Sequence, residues 1–348
     1  MNGAGRLWPR RGWGELAIDL GTANTVACLR RGRISVGEPT VITIERATGR
    51  TVAVGAEAKA MLGRTPESLE VVRPLRRGVI ADFEATQTLL AAFMDRAIAR
   101  RPWSRLAVVI TVPTGVTGIE RHAAREAALG AGARQAVALE APVAAALGLG
   151  LGNDVKPAAI IDVGAGTTEI AAVAMGGIVT SHAVRIAGDD MDAAIASYLR
   201  REFNLLVGEL TAEAIKVEVG SACALGDDDR TTIARGRDLG SGLPKAIRVG
   251  AGQIRQAMAE PIRAITRAVV SGIEAMGPEL ASDISSAGLV LVGGGALLPG
   301  LDRLVQLETG MPVRRADDVV NCAARGAARA LDMGDRVQFS DGYPRGRT

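Results

Sequence analysis

Apolar residues along this chain fall into two rhythms. Short, nearly unbroken runs rich in Val, Ile, Leu and Ala occupy residues 16–20, 25–30, 34–45, 105–112, 158–163, 169–175, 178–186 and 288–292, and such runs, bounded by turn residues, predict strands. Longer stretches, at 84–100, 117–132, 140–150, 189–205, 211–219, 253–276, 300–308 and 320–332, place apolar residues three and four apart, the spacing of a helix with one buried face. Strands mixed with helices of this length predict covered sheets and an α/β chain. The polar, proline-containing stretch Asn153–Pro157 follows the glycine-broken sequence LGLGLG. It is the best crossing between two halves, and a boundary there permits a hinge.

Two of the predicted strands end in one grammar, an apolar run closing on Asp, then glycine, then Thr: AIDLGTANT at 17–25 and IDVGAGTTE at 161–169. One such turn is an ordinary hairpin. Its repetition far along the chain suggests two similar halves across a cleft. Glycine allows a turn whose amides stay open, and open amides hold phosphate oxygens. Asp19 and Asp162, at the loop mouths, would repel a polyphosphate unless a hard cation lay between them, which implies Mg²⁺ held partly through water. Thr22, Asn24, Thr25, Thr167 and Thr168 add short polar contacts. A third run, GLVLVGGGALLPGL at 288–301, brings a strand into Gly293, Gly294 and Gly295; it offers a close-approach surface to a base, sugar or phosphate, or else makes a tight strand-to-helix turn. Neither loop fits the P-loop or the dinucleotide-binding pattern in its required context.

At 348 residues the chain exceeds the size at which one core keeps growing, so two domains are expected. Hydrophobic residues make up 48% of it without a continuous 18-residue apolar stretch, which excludes an ordinary membrane-spanning helix. Aromatics are only 3% against 43 glycines, so the cores must be built from Ala, Val, Ile and Leu. Net charge is +3 with pI near 9.0, and no zinc finger, RNA-recognition motif or dense basic helix argues for a specific nucleic-acid partner. Cys28, Cys223 and Cys322 share no ligand spacing, which favours reduced thiols over zinc or disulfides. His122 and His182 lack partners at catalytic spacing.

At this point the chain resembles a known family, the bacterial cell-shape actin homologues (MreB/Mbl) of the actin, Hsp70 and sugar-kinase superfamily, from about Glu15 to Asp332. DLGTANT at 19–25 resembles the first phosphate loop, GVIADF at 78–83 the segment after the first small subdomain, and the stretch 112–133 the strand and helix that follow. DVGAGTTEIA at 162–171 resembles the second phosphate loop, RIAGDDMD at 185–192 the entry to the second small subdomain, GRDLGSGLPK at 236–245 a further family stretch, and VGGGALLPGL at 292–301 the segment closing the nucleotide cleft. The resemblance implies an actin-like ATPase fold, two similar RNase H-like halves around a nucleotide cleft, each with a small inserted subdomain. The halves are expected at 15–155, with its subdomain at about 38–76, and 156–335, with its subdomain at about 188–250. Residues 1–14 are expected as a flexible basic arm able to touch membrane, and 336–348 as a flexible tail.

Carried across residue by residue, the resemblance gives ATP and Mg²⁺ as cofactors. Thr22, Ala23 and Asn24 line the first phosphate loop; Gly164, Ala165, Gly166 and Thr167 line the second; Asp19 and Asp162 organise the ion and its waters. Glu213, Ala214, Ile215 and Lys216 lie around the adenosine, with Gly294, Gly295, Ala296 and Leu297 on its other side. Without the family, Glu213 and Lys216 read as a solvated helix face.

Two departures concern nucleotide handling. The family helix here opens with Glu-Glu-Pro, and the second Glu positions the attacking water; this chain reads Glu140-Ala141-Pro142. A methyl cannot polarise water, and one helical step turns a side chain by about 100 degrees, so Glu140 is a poor direct substitute. Thr167 remains as a water-positioning hydroxyl, and ATP binding with weak turnover is expected. Ala165 stands where the family has glycine, a change that is costly only if the position needs positive φ.

The resemblance further implies a homopolymer, peripheral at the inner face of the cell membrane, working with cell-wall elongation or spore-wall membrane proteins. Leu7, Trp8 and Trp13 beside Arg6, Arg10 and Arg11 suit anionic lipid, and Trp103 falls where the family carries a membrane loop; the plain alternative is a solvated basic arm and a surface tryptophan. Two other function classes remain: a small-molecule kinase or other phosphotransferase of the superfamily, and a chaperone or signalling ATPase, disfavoured because no peptide-binding half follows residue 335.

Overall fold

The computed structural model describes residues 13–98, 105–226, 228–333 and 337–339. Its elements run β1 (Gly14–Leu20), β2 (Asn24–Leu29), β3 (Arg33–Pro39), β4 (Ile42–Glu45), β5 (Thr51–Val54), α1 (Ala56–Ala60), β6 (Leu69–Val72), β7 (Leu75–Arg76), β8 (Val79–Ile80), α2 (Phe83–Ile98), β9 (Leu106–Val112), α3 (Gly118–Gly130), β10 (Gln135–Glu140) and α4 (Ala141–Gly148). There follow β11 (Ala158–Val163), β12 (Thr168–Ala174), β13 (Gly177–Val184), α5 (Gly188–Phe203), β14 (Leu205–Leu206), α6 (Glu209–Val219), β15 (Thr231–Asp238), β16 (Pro244–Gly250), α7 (Ala251–Ala257), α8 (Ala259–Glu274), α9 (Pro278–Ala287), β17 (Leu289–Val292), α10 (Leu301–Thr309), β18 (Val313–Arg315) and α11 (Cys322–Met333).

The chain forms two compact units, one of residues 1–160, 171–181 and 320–348, the other of 161–170 and 182–319. In the first, the sheet is ordered β10-β9-β1-β2-β3, with β9 parallel to both β1 and β10. All seven residues of β9 are buried, as expected of a strand covered on both faces. Leu16, Ile18, Val108 and Ile110 from the sheet pack with Leu89, Leu90 and Phe93 of α2. Helix α3 starts at a capping box: the Thr117 hydroxyl accepts from Glu120 N at 3.2 Å, and the Glu120 carboxylate accepts from Thr117 N at 2.8 Å, which contributes about 1 kcal/mol. A small sheet, β5-β4-β6, carries its own cluster of Val41, Ala53 and Ala58.

Helix α11 also belongs to this unit. A Cβ placed on Gly326 would stand 1.6 Å from the Ala144 carbonyl oxygen, and one on Gly148 would stand 2.0 Å from that of Cys322. The α4 and α11 backbones therefore touch, an approach only glycine permits. Helix α11, which falls within the stretch 156–335 expected as the second half, groups with α4 in the first unit. Residues 153–157 likewise sit in the first unit, where Asp154 O accepts from Met175 N at 3.0 Å.

The later part of the chain carries a sheet ordered β13-β12-β11-β17-β18 and a small antiparallel sheet β14-β15-β16. The predicted strand 34–45 is two strands in different sheets, and the predicted helix 253–276 divides into α7 and α8 at Met258.

Candidate functional site

In the first unit, Asp19 and its loop are held by hydroxyl groups. Gly21 N donates to Asn24 O at 3.1 Å, closing the β1–β2 turn. Thr40 Oγ1 donates to Gly21 O at 2.8 Å and lies 2.8 Å from Thr25 Oγ1. The buried Thr22 accepts from Gly78 N at 2.9 Å, seating the β7–β8 turn on the loop, while Ala23 is half-buried and Asn24 exposed. Thr111 Oγ1 donates to Asp19 Oδ1 at 2.5 Å and accepts from Leu20 N at 3.2 Å. Loss of water around Asp19 pushes its carboxyl above the usual range, and the Thr111 hydrogen bond opposes that. Sequence reading missed Thr111; the available signal was one hydroxyl interrupting the apolar run LAVVITV.

Glu140 is the N-cap of α4 without a capping hydrogen bond, and Ala141 is its first residue. Burial raises the Glu140 pKa, with Arg121 pulling it down.

In the second unit, backbone groups hold the loop. Gly164 N donates to Thr167 O at 2.9 Å, while Gly188 N and Asp189 N, at the start of α5, donate to Gly164 O at 3.2 Å and Ala165 O at 2.8 Å. Thr167 Oγ1 donates to Glu169 Oε1 at 3.1 Å, and Thr168 Oγ1 to Ile186 O at 2.8 Å. Among the described residues the non-glycine positions with positive φ are Arg31, Arg77, Met175 and Asn204; Ala165 is not one of them, so its methyl meets no left-handed strain. Gly293 has φ +84°, and a Cβ there would lie 2.3 Å from Asp162 Oδ1; the glycine run thus backs directly onto the second aspartate.

Not every expected contact residue faces outward. Ile215 and Ala296 are each only 2% exposed: the helical turn carries the Ile215 side chain inward between Ala214 and Lys216, and Ala296 is tucked under its glycine turn by a bond from its N to Gly293 O. Ala214, Gly294 and Leu297 are exposed, and Glu213, Lys216, Gly164, Ala165 and Gly295 half-buried. Gly166 is buried.

Among the described residues, no three His, Cys, Asp or Glu side chains gather as a metal cage. The donor set on offer, single carboxylates such as the Thr111-oriented Asp19, suits a hard cation that keeps most of its waters. Trp13 is half-buried with the Arg105 guanidinium 5.7 Å from its ring centroid, whereas Leu7, Trp8 and Trp103 lie outside the described residues. None of the described helices is long and apolar enough to cross a membrane.

The model of the MreB/Mbl protein family matches residues 14–338. The chain belongs to the MreB/Mbl family. It is 45% identical over 329 residues to the cell shape-determining protein MreB of Escherichia coli K12, covering 92% of this chain and 94% of that protein. To the cell shape-determining protein Mbl of Bacillus subtilis 168 it is 39% identical over 325 residues, covering 93% and 97%. Among solved structures, MreB5 of Spiroplasma citri bound to ADP superposes with a TM-score of 0.86 at 34% identity, covering 92% of this chain and 97% of that one. The MamK double helical filament, at 22% identity and TM-score 0.77, agrees in fold alone. The fold is actin-like, and this MreB/Mbl member is a cell-shape protein of the actin-like cytoskeleton; the kinase reading is not favoured.

Proposed function

We propose that this chain binds ATP with Mg²⁺ and assembles into membrane-associated filaments that organise peptidoglycan synthesis, turning ATP over slowly. The nucleotide reading is supported by relatives of the same family solved with ADP and with AMPPNP, and by the two Asp-Gly-Thr loops. Asp19 and Asp162 are the residues assigned to the ion, each acting largely through water; when bound, the ion neutralises charge on the transferring phosphate. The loop amides orient phosphate oxygens, with Thr22 and Thr167 lining the two loops. Assembly of identical subunits head to tail is heterologous and open, which yields filaments. The basic, tryptophan-bearing N-terminal arm is assigned to anionic lipid at the inner face of the membrane, and wall-synthesis membrane proteins are the expected partners.

The observation that carries slow turnover is Ala141 at the first turn of α4. The neighbouring Glu140 is half-buried opposite Arg121, and the Thr167 proton is engaged by Glu169, so neither replaces a carboxylate aimed at water. Phosphate release and sedimentable polymer are to be measured together on the purified chain with Mg·ATP and anionic vesicles. The expected result is polymer with little release, and release raised by about 10²-fold in Ala141→Glu. Fast release by the unaltered chain would overturn the slow-turnover reading, and failure to pellet under any nucleotide would overturn assembly.

A further inference from the structure

Lys216 does not project a free cation. Its Nζ donates to Gly188 O at 2.9 Å and to Asp192 Oδ2 at 2.8 Å, and both side chains are largely buried, 17% and 16% exposed. Two of the three ammonium donors are thus spent on α5. Gly188 itself is seated on the second loop through its N–H on Gly164 O at 3.2 Å, beside Asp189 N on Ala165 O at 2.8 Å. The packing there is full: a Cβ on Gly188 would lie 3.3 Å from Gly164 O and 3.4 Å from Lys216 Nζ. A continuous path of hydrogen bonds therefore runs from α6 through the first turn of α5 to the loop Gly164–Thr167.

We propose that Asp192 is a positioning residue for nucleotide: by clamping Lys216 onto the Gly188 carbonyl it ties the adenosine-side helix α6 to the phosphate loop, so that both sets of contacts are set as one body. This rests on the nucleotide reading of the same loop and goes beyond it by assigning Asp192, which touches no ligand, the coupling of the two contact sets. The clamp has a weak point. Asp192 Oδ1 is buried without a hydrogen-bond partner, and loss of water pushes the carboxyl up to about 6, against the pull of Lys216. The charged groups facing it are Lys216 and Glu213 from α6 and Asp189 from the start of α5; the loop 164–167 brings no titratable side chain. Ionised above that value, Asp192 holds the ammonium; protonated below it, the ion pair is lost and Lys216 is released.

The test is calorimetric titration of Mg·ADP into the full chain at several pH values, with hydrogen exchange of the nucleotide-free protein. In the unaltered chain, affinity is expected to fall about fourfold as pH drops from roughly 7.5 to 5.5, the most that one carboxyl titrating at about 6 can give over that range. Asp192→Asn is expected to bind about tenfold more weakly at neutral pH, to lose most of that pH dependence, and to exchange the Gly188 and Asp189 amides faster before any nucleotide is added. Should Asp192→Asn not fold, hydrogen exchange of the nucleotide-free unaltered chain decides: Gly188 and Asp189 amides as well protected at about pH 5.5 as at about pH 7.5, after allowing for the intrinsic rate, overturn the clamp. Unchanged affinity in Asp192→Asn, or a profile flat through pH 6, overturns the clamp while leaving nucleotide binding intact. Absence of Mg·ADP binding by the unaltered chain at neutral pH would remove the nucleotide reading and the clamp with it.

Discussion

The loops after β1 and after β11 share a sequence grammar and are built differently. The first is braced by side chains: Thr22 on Gly78, Thr25 on Thr40, Thr40 on Gly21 and Thr111 on Asp19. The second is braced mostly by main chain, with the opening amides of α5 on the Gly164 and Ala165 carbonyls. Side-chain braces are made by residues that substitution can remove one at a time. Main-chain braces survive most substitutions and fail when the backbone path is blocked. The same turn chemistry is therefore compatible with two kinds of support, and the two loops should respond differently to mutation.

The largest effect is expected at the second loop, from blocking the path. Gly293→Ala would place a methyl 2.3 Å from Asp162 Oδ1 and 2.4 Å from Val163 O at φ +84°; we expect a loss of about 2–4 kcal/mol, read by thermal or urea unfolding. A loss below 1 kcal/mol would show that the glycine run yields, and the contrast between the loops would shrink. Next comes the first loop, where Thr111→Val keeps shape but leaves Asp19 without its hydroxyl donor. This should cost about 1–3 kcal/mol and raise the Mg²⁺ concentration needed for tight nucleotide binding, with Thr111→Ser restoring both. Equal Mg²⁺ dependence in the Val and Ser variants would separate Thr111 from ion binding. The smallest effect is Ala165→Gly. Because Ala165 lies outside the positive-φ set, the family's glycine should destabilise by about 0.4–1 kcal/mol through the unfolded chain, and a stabilised variant would contradict the backbone assigned to that position.

Strong local patterns were legible. The runs at 16–20 and 158–163 are β1 and β11, and the helices at 84–100 and 189–205 are α2 and α5 to within a few residues. Strands β15 and β16 were missed because their pattern runs against the usual one: Ile233 is 38% exposed whereas the small Ala234 beside it is buried. Strand β10 was missed because QAVALE runs straight into the helix APVAAALG without a turn residue between them. The loop residues were legible as chemistry, but the inward turn of Ile215 and Ala296 was not, since which side of a helix or turn is covered depends on what packs on it.

The sequence by itself determined the paired Asp-Gly-Thr turns, the glycine run before α10 and the capping box of α3. All of these act through a few consecutive residues, where backbone preference and local hydrogen bonding decide the outcome. Only the tertiary structure decided that Thr111 meets Asp19, 92 residues away, that Lys216 is clamped by Asp192 from another helix, and that α11 returns to lie against α4. Those pairings are chosen by strand register and by burial of whole faces, which no short window of sequence contains.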